Sequence, residues 1–176
     1  MEKYPFELSG GMAQRLSIAM AVAPSPQLII ADEPIVSLDE QNRQKSMNLL
    51  VKLIKESNTS LLLITHDLSL ALSIADYVAI MYAGQVVEYA DCDHIQKYPM
   101  HPYTKLLFQL FREVNQKDTK LPCRYTDPPD PTALGEGCPF FPGCPQTILI
   151  CESRLPDAVP TGSESFVRCF CKGESN

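Results

Sequence analysis

Two hydrophobic rhythms alternate along the first hundred residues. Met12 to Ala23 is apolar on most faces of a predicted helix and stops at Pro24 and Pro26, which lack the amide donor a helix needs. Leu28, Ile29 and Ile30 form a short continuous apolar run, the pattern of a strand covered on both faces in a parallel sheet. A second helix is expected from an N-cap at Asp39 to about Ser57, with Met47, Leu50, Val51 and Ile54 on its buried face. Leu61 to Ile64 is a second buried strand, and Asp67 caps a short helix through Ala75. "YVAIMYAGQVVEY" reads as an edge hairpin turning at Ala83-Gly84. From Asp91 a short helix leads to a longer one opened by Pro102, with Leu106, Leu107, Leu110 and Phe111 on its apolar side. Helix and strand in alternation predict an α/β fold.

The rhythm then ends. Residues 115–137 hold four prolines and few large apolar side chains, which is the composition of an extended linker. A Cys- and Pro-rich tail, 138–176, closes the chain. The expected organisation is an α/β layer over 1–90, a helical connector over 91–114, the linker, and the tail. No internal repeat or low-complexity tract is present.

Charge and composition narrow the partners. The net charge is -6 and no cluster of Lys and Arg appears, so a nucleic-acid-binding face is not expected. No apolar run approaches the roughly 18 residues of a membrane span. "MEKYPFELSGG" has neither a cationic start nor an apolar signal core, so the chain is expected in the cytosol, meeting membranes through partners. Seven cysteines without a secretion signal point to metal or redox chemistry, because cytosolic thiols stay reduced. Five of them fall between Cys138 and Cys171.

Three stretches carry chemistry. In "LIIADEP" the carboxylates of Asp32 and Glu33 follow an apolar strand, where an open α/β sheet collects its ligands. An aspartate there serves Mg²⁺, and the next carboxylate can orient or deprotonate a water attacking a γ-phosphate. In "LSGGM" the hydroxyl of Ser9 and the amides of Gly10 and Gly11 open a helix, which favours an anion such as phosphate. In "LLLITHDLS" His66 follows the second strand, beside Glu33 if the two strands are parallel neighbours. Taken singly, each has a plain structural reading: a solvated loop, a cap and turn, a structural histidine.

Together, "LSGGMAQRLSIAMA", "LIIADEPIVSLD" and "LLLITHDLSLALSIAD" resemble the signature motif, the Walker B strand with its D-loop, and the H-loop of an ABC-transporter ATPase. The resemblance implies the C-terminal part of a P-loop NTPase domain over residues 1–90. It implies that Ser9, Gly10 and Gly11 contact the γ-phosphate of ATP bound on the opposing subunit of a head-to-tail dimer. Asp32 would serve Mg²⁺, Glu33 would be the general base, Asp39 would lie in the D-loop, and His66 would be the switch histidine. Ile35 stands where the family commonly has Thr or Ser, and "VSLD" replaces the usual "SALD".

Further on, "YPMHPYTKLL" and "GCPFFPGCP" are similar to the ATPases of dipeptide, oligopeptide and nickel importers, which carry a cysteine-bearing C-terminal extension. Cys138, Cys144, Cys151 and Cys169 are separated by five, six and seventeen residues. That spacing matches neither a C-x-x-C zinc pair nor the ferredoxin run, so it leaves a metal site and unligated cysteines both open. The resemblance implies a [4Fe–4S] cluster, with Zn²⁺ as the alternative and Cys171 as a substitute ligand. Cys92 and Cys123 read as small apolar residues.

The chain contains no G-x-x-x-x-G-K-[ST] loop to hold the β- and γ-phosphates. It therefore resembles the C-terminal half of the ATPase domain plus the extension, expected to need its Walker A half, and a fragment, a split gene and a decayed gene all fit. The implied partners are a second ATPase subunit, membrane permease subunits and a solute-binding protein, at the cytoplasmic face of a bacterial or archaeal membrane. The alternative is a non-catalytic remnant, either a metal-binding module or a donor of the signature motif to a partner's site.

Overall fold

The computed structural model describes residues 4–34, 40–114, 130 and 135–171. Two compact units divide the chain, Met1–Ile74 and Ala75–Asn176. The expected N-cap Asp39, Cys123 and nearly all of the 115–137 linker lie outside the described residues.

In the first unit, helix α1 (Gly10–Val22) starts two residues earlier than its apolar pattern. Ser9 is the reason: its backbone is extended and its side chain accepts the amide of Met12, a standard N-cap. Strand β1 (Leu28–Asp32) pairs in parallel with β2 (Ser60–Ile64), so that Asp32 lies opposite Ile64. Helix α2 (Glu40–Ser57) crosses between them, as parallel neighbours require, and α3 (Leu68–Ile74) follows β2. Ile18, Met47, Leu50 and Leu70 form the core, with Ala31, Leu61 and Leu63 packed on it from one face of the strands.

The strands are not covered on both faces, as their apolar composition alone suggests, but carry an exposed apolar face, as expected of a chain that resembles half of the ATPase domain. Side chains alternate across a strand, and the second face carries Leu28, Ile30, Leu62 and Ile64, which are 51%, 62%, 50% and 47% exposed. A parallel pair normally sits inside two layers, whereas here this apolar face is wet.

In the second unit, β3 (Tyr77–Tyr82) and β4 (Gln85–Asp91) form the hairpin foreseen at Ala83-Gly84. Both turn residues have positive φ, 47° and 79°, as a tight two-residue connection demands. The hairpin is not an isolated edge. Two short strands of the tail, β5 (Val159–Pro160) and β6 (Phe166–Val167), extend it in the order β3-β4-β6-β5, which makes β4 an interior strand. A bulge near Ile80 and Met81 shifts the β3–β4 register, and Val87 then accepts the amide of Arg168 at 2.8 Å beside the β4–β6 pairing.

Helices α4 (Cys92–Lys97) and α5 (Pro102–Val114) follow β4. The sequence reading chose Leu106, Leu107, Leu110 and Phe111 for the apolar side of α5, yet Phe108 is the most buried of its large residues. The N-terminus of α5 is closed by two side chains. Glu88, 2% exposed, accepts the amides of Met100 and His101, each at 2.8 Å, and His101 Nδ1 accepts the amide of Tyr103 at 3.0 Å. Burial pushes the His101 pKa down to about 4, so the imidazole is neutral and serves as a cap.

Candidate functional site

The carboxyl ends of β1 and β2 bring Glu33 and His66 together. The Glu33 amide donates to Ile64 at 2.9 Å, carrying the parallel ladder one step past Asp32. Its φ is 43°, a left-handed conformation uncommon for a residue with a side chain. The carboxylate is held by the loop after β2: Oε1 accepts the His66 amide at 3.0 Å and lies 2.6 Å from His66 Nδ1. Thr65 Oγ1 reaches Oε2 at 3.5 Å. A carboxylate only accepts, so the network assigns the proton to Nδ1 and leaves Nε2 for another ligand. The His66 side-chain bond, joined by its amide and its charge, keeps the Glu33 carboxyl below the usual carboxylate range.

Thr65 escaped the sequence reading. Its hydroxyl accepts the amide of Asp67 at 3.1 Å, and Asp67 in turn caps α3 through Leu70 at 3.0 Å. The signal was present in "THD": a threonine two residues before a cap can fold the loop back on itself. Ser9, Gly10 and Gly11 open the first turn of α1, whose leading amides have no partner within the helix. The Gln14 side-chain amide donates to the carbonyl of Pro34, tying α1 to the segment after Glu33. Asp32 is exposed at the end of β1, and Ile35 to Asp39 lie outside the described residues.

The tail forms a second candidate site. Cys138 and Cys144 flank a loop containing a 3₁₀ turn at Phe141–Gly143, Cys151 sits in the short helix α6 (Ile150–Ser153), and Cys169 and Cys171 follow β6. The Cys138 amide donates to Cys151 at 2.7 Å, and Cys171 Sγ donates to the Gln146 carbonyl at 3.0 Å. Gly137 makes the first contact possible, since a Cβ there would meet the Cys151 carbonyl oxygen at 2.6 Å and that of Glu152 closer still. Phe140 seats the loop against Tyr82 and Tyr103, with ring centroids at 5.2 and 5.5 Å.

None of the six described cysteines, Cys92 included, is in a disulfide. Burial raises the pKa of Cys138 and Cys144 and pushes Cys169 up to about 12. Burial is the chief cause for each, with smaller contributions from neighbouring thiols. Among the described residues no three His, Cys, Asp or Glu side chains converge as they would on one metal ion. Tetrahedral Zn²⁺ with Zn–S bonds of about 2.3 Å would draw its thiolates to about 3.8 Å from each other.

Comparisons with known proteins bear on both sites. The family described as "ABC transporter" matches residues 1–36, and the family described as "Oligopeptide/dipeptide transporter, C-terminal region" matches residues 87–151. The oligopeptide transport ATP-binding protein AppD of Bacillus subtilis is 41% identical over 97% of this chain and 52% of its own length. OppD of Salmonella typhimurium, also an oligopeptide transport ATP-binding protein, is 40% identical over 89% of this chain and 47% of its own. The chain belongs to the oligopeptide/dipeptide family of ABC-transporter ATP-binding subunits. The dipeptide transport ATP-binding protein DppD of Caldanaerobacter subterraneus subsp. tengcongensis is 37% identical over 96% of this chain and 52% of its own. The chain thus spans about half the length of the curated relatives it matches. Its α/β first unit is the C-terminal part of the family's ATPase domain. Among the described residues no helix is long and apolar enough to cross a membrane.

Proposed function

We propose that the chain is the C-terminal portion of the ATP-hydrolysing subunit of an ABC importer for peptides or a related small solute. The observation that carries this reading is the Glu33–His66 pair at the carboxyl ends of two parallel strands. Glu33 is the general base that orients and deprotonates the attacking water, and His66 supports it while meeting the γ-phosphate through Nε2. Asp32 serves Mg²⁺. Ser9, Gly10 and Gly11 present the start of α1 to ATP held by a second ATPase subunit, and Asp39 belongs to the D-loop at the seam between the two. The phosphate cradle comes from a Walker A half, which packs on the apolar face of Leu28, Ile30, Leu62 and Ile64. Permease subunits and a solute-binding protein complete the importer, with this subunit peripheral to the cytoplasmic face of the membrane. The printed names of the relatives support peptides as the solute.

The tail holds a [4Fe–4S] cluster on Cys138, Cys144, Cys151 and Cys169 in this reading, in preference to Zn²⁺. The unbridged thiols of the tail support it.

One experiment tests the catalytic assignment. The 176-residue chain by itself shows no Mg²⁺-dependent ATP turnover, because it has no cradle for the γ-phosphate. Mixed with the N-terminal half of a curated relative, it gains turnover, and Glu33→Gln lowers that turnover about 10²–10⁴-fold. Full turnover by Glu33→Gln in the restored pair overturns the assignment of the base.

A further inference from the structure

The left-handed turn at Glu33 runs against its own sequence. Its φ of 43° is one that a residue with a side chain seldom adopts, and Pro34 biases the residue before it toward extended backbone. Such a conformation persists where the surroundings hold it from more than one side. On the near side the Glu33 amide donates to Ile64 at 2.9 Å, and the loop after β2 holds the carboxylate through the His66 amide at 3.0 Å. On the far side the hold comes from α1. Pro34 has a carbonyl but no amide to offer, and the half-buried Gln14 turns its Nε2 donor to that carbonyl. Gln14 stands one helical turn past Gly10, so the helix that opens at Ser9 also reaches the residue after Glu33.

We propose that Gln14 is a positioning residue, whose side-chain amide fixes the turn that aims the Glu33 carboxylate at His66. The proposal rests on the reading of Glu33 as the base. Gln14 acts through Pro34 and touches neither the attacking water nor the nucleotide. Without its donor the Pro34 carbonyl loses a partner, and the turn relaxes toward the extended shape that a following proline favours. The carboxylate then swings away from His66 Nδ1, which now lies 2.6 Å from it. The helix whose first turn is proposed to face the other subunit's ATP thereby also holds this chain's own base in place.

The test reads backbone amide exchange by nuclear magnetic resonance on the full chain, and turnover after mixing with the N-terminal half of a curated relative. Gln14→Met keeps the length of the side chain and removes the donor; Gln14→Glu keeps its shape and puts an acceptor there, and serves where the first variant fails to fold. Ser17→Ala, on the exposed side of the same helix, is the reference. Either Gln14 variant is expected to speed exchange at the Glu33 and His66 amides by about threefold to tenfold, the worth of one hydrogen bond. The amide of Leu50, in the core helix α2, should stay as it was, because it exchanges only when the whole unit opens. In the restored pair kcat should fall about tenfold to a hundredfold, with KM for ATP within about twofold and Ser17→Ala unchanged. Exchange that rises equally at Leu50 reduces Gln14 to a stabilising contact and overturns the proposal. Unchanged exchange at Glu33 and His66 overturns it as well, and so does faster exchange there with full kcat. All three leave the base assignment standing, which falls separately if Glu33→Gln keeps full turnover.

Discussion

Replacing Gly137 by alanine puts a methyl group into the closest backbone approach of the tail. The new Cβ would stand 2.6 Å from the Cys151 carbonyl oxygen and closer to that of Glu152. Both obstacles are main-chain atoms with no rotamer to escape into, so the segment before Cys138 has to move away from α6. The hydrogen bond from the Cys138 amide to Cys151, now 2.7 Å, is adjacent and lengthens with it. Losing that bond costs about 0.5–1.5 kcal/mol, and forcing atoms into a filled space about 1–3 kcal/mol, so the substitution destabilises by about 2–4 kcal/mol. For a domain of 60–100 residues each kcal/mol moves the melting temperature by about 4–8 °C, which predicts a fall of about 8 °C or more. Scanning calorimetry of the anaerobic chain reads this in the transition of the second unit. Gly135→Ala is the control, since a Cβ there meets nothing within 4 Å. A Gly137→Ala chain that melts within about 2 °C of the unaltered one, with Gly135→Ala alike, refutes the reasoning.

Met47→Ala empties the centre of the first unit, where Met47 is 1% exposed, and should cost about 2–5 kcal/mol, seen as a lower urea midpoint with an unchanged slope; an unmoved midpoint would remove Met47 from the core. Glu33, whose carboxyl is held below 4.5 chiefly by the His66 side chain, should titrate below that value by nuclear magnetic resonance. The lowered value makes its contribution to stability present above the unfolded pKa and lost as pH falls through the folded one. In His66→Ala the titration should move back up; an unchanged titration would show that the contact does not hold the carboxylate.

How far the sequence could be read depends on the range of the interaction involved. Elements set by local chemistry were legible: the caps at Ser9 and Asp67, the Ala83-Gly84 turn, and the strand ends that hold Glu33 and His66. Properties set by distant partners were not. Leu28 and Ile30 have the composition of a strand buried on both faces, and nothing within the run reveals whether a second layer is present. Glu88 was passed over because a charge in a strand normally marks the wet face; it is buried because α5 supplies two amides to it. The interior place of β4 was hidden because β6 has two residues, too few to show any period. Cys138, Cys144, Cys151 and Cys169 were named as ligands through the resemblance rather than from their spacing, and among the described residues no three such side chains converge on one point.

The wet side of the β1–β2 pair has a consequence for the order of assembly. Parallel pairing is slow to form because the crossover must be closed before any contact rewards it, and here half of that reward, the burial of Leu28, Ile30, Leu62 and Ile64, waits on another surface. A covering layer made earlier on the ribosome would idle as an incomplete sheet until these two strands emerged. One supplied as a separate polypeptide would have to arrive before the aliphatic row found a second copy of itself. The half-life of that exposed row, more than the final affinity, then sets the yield, and a chaperone that grips extended aliphatic segments would be the natural competitor for it.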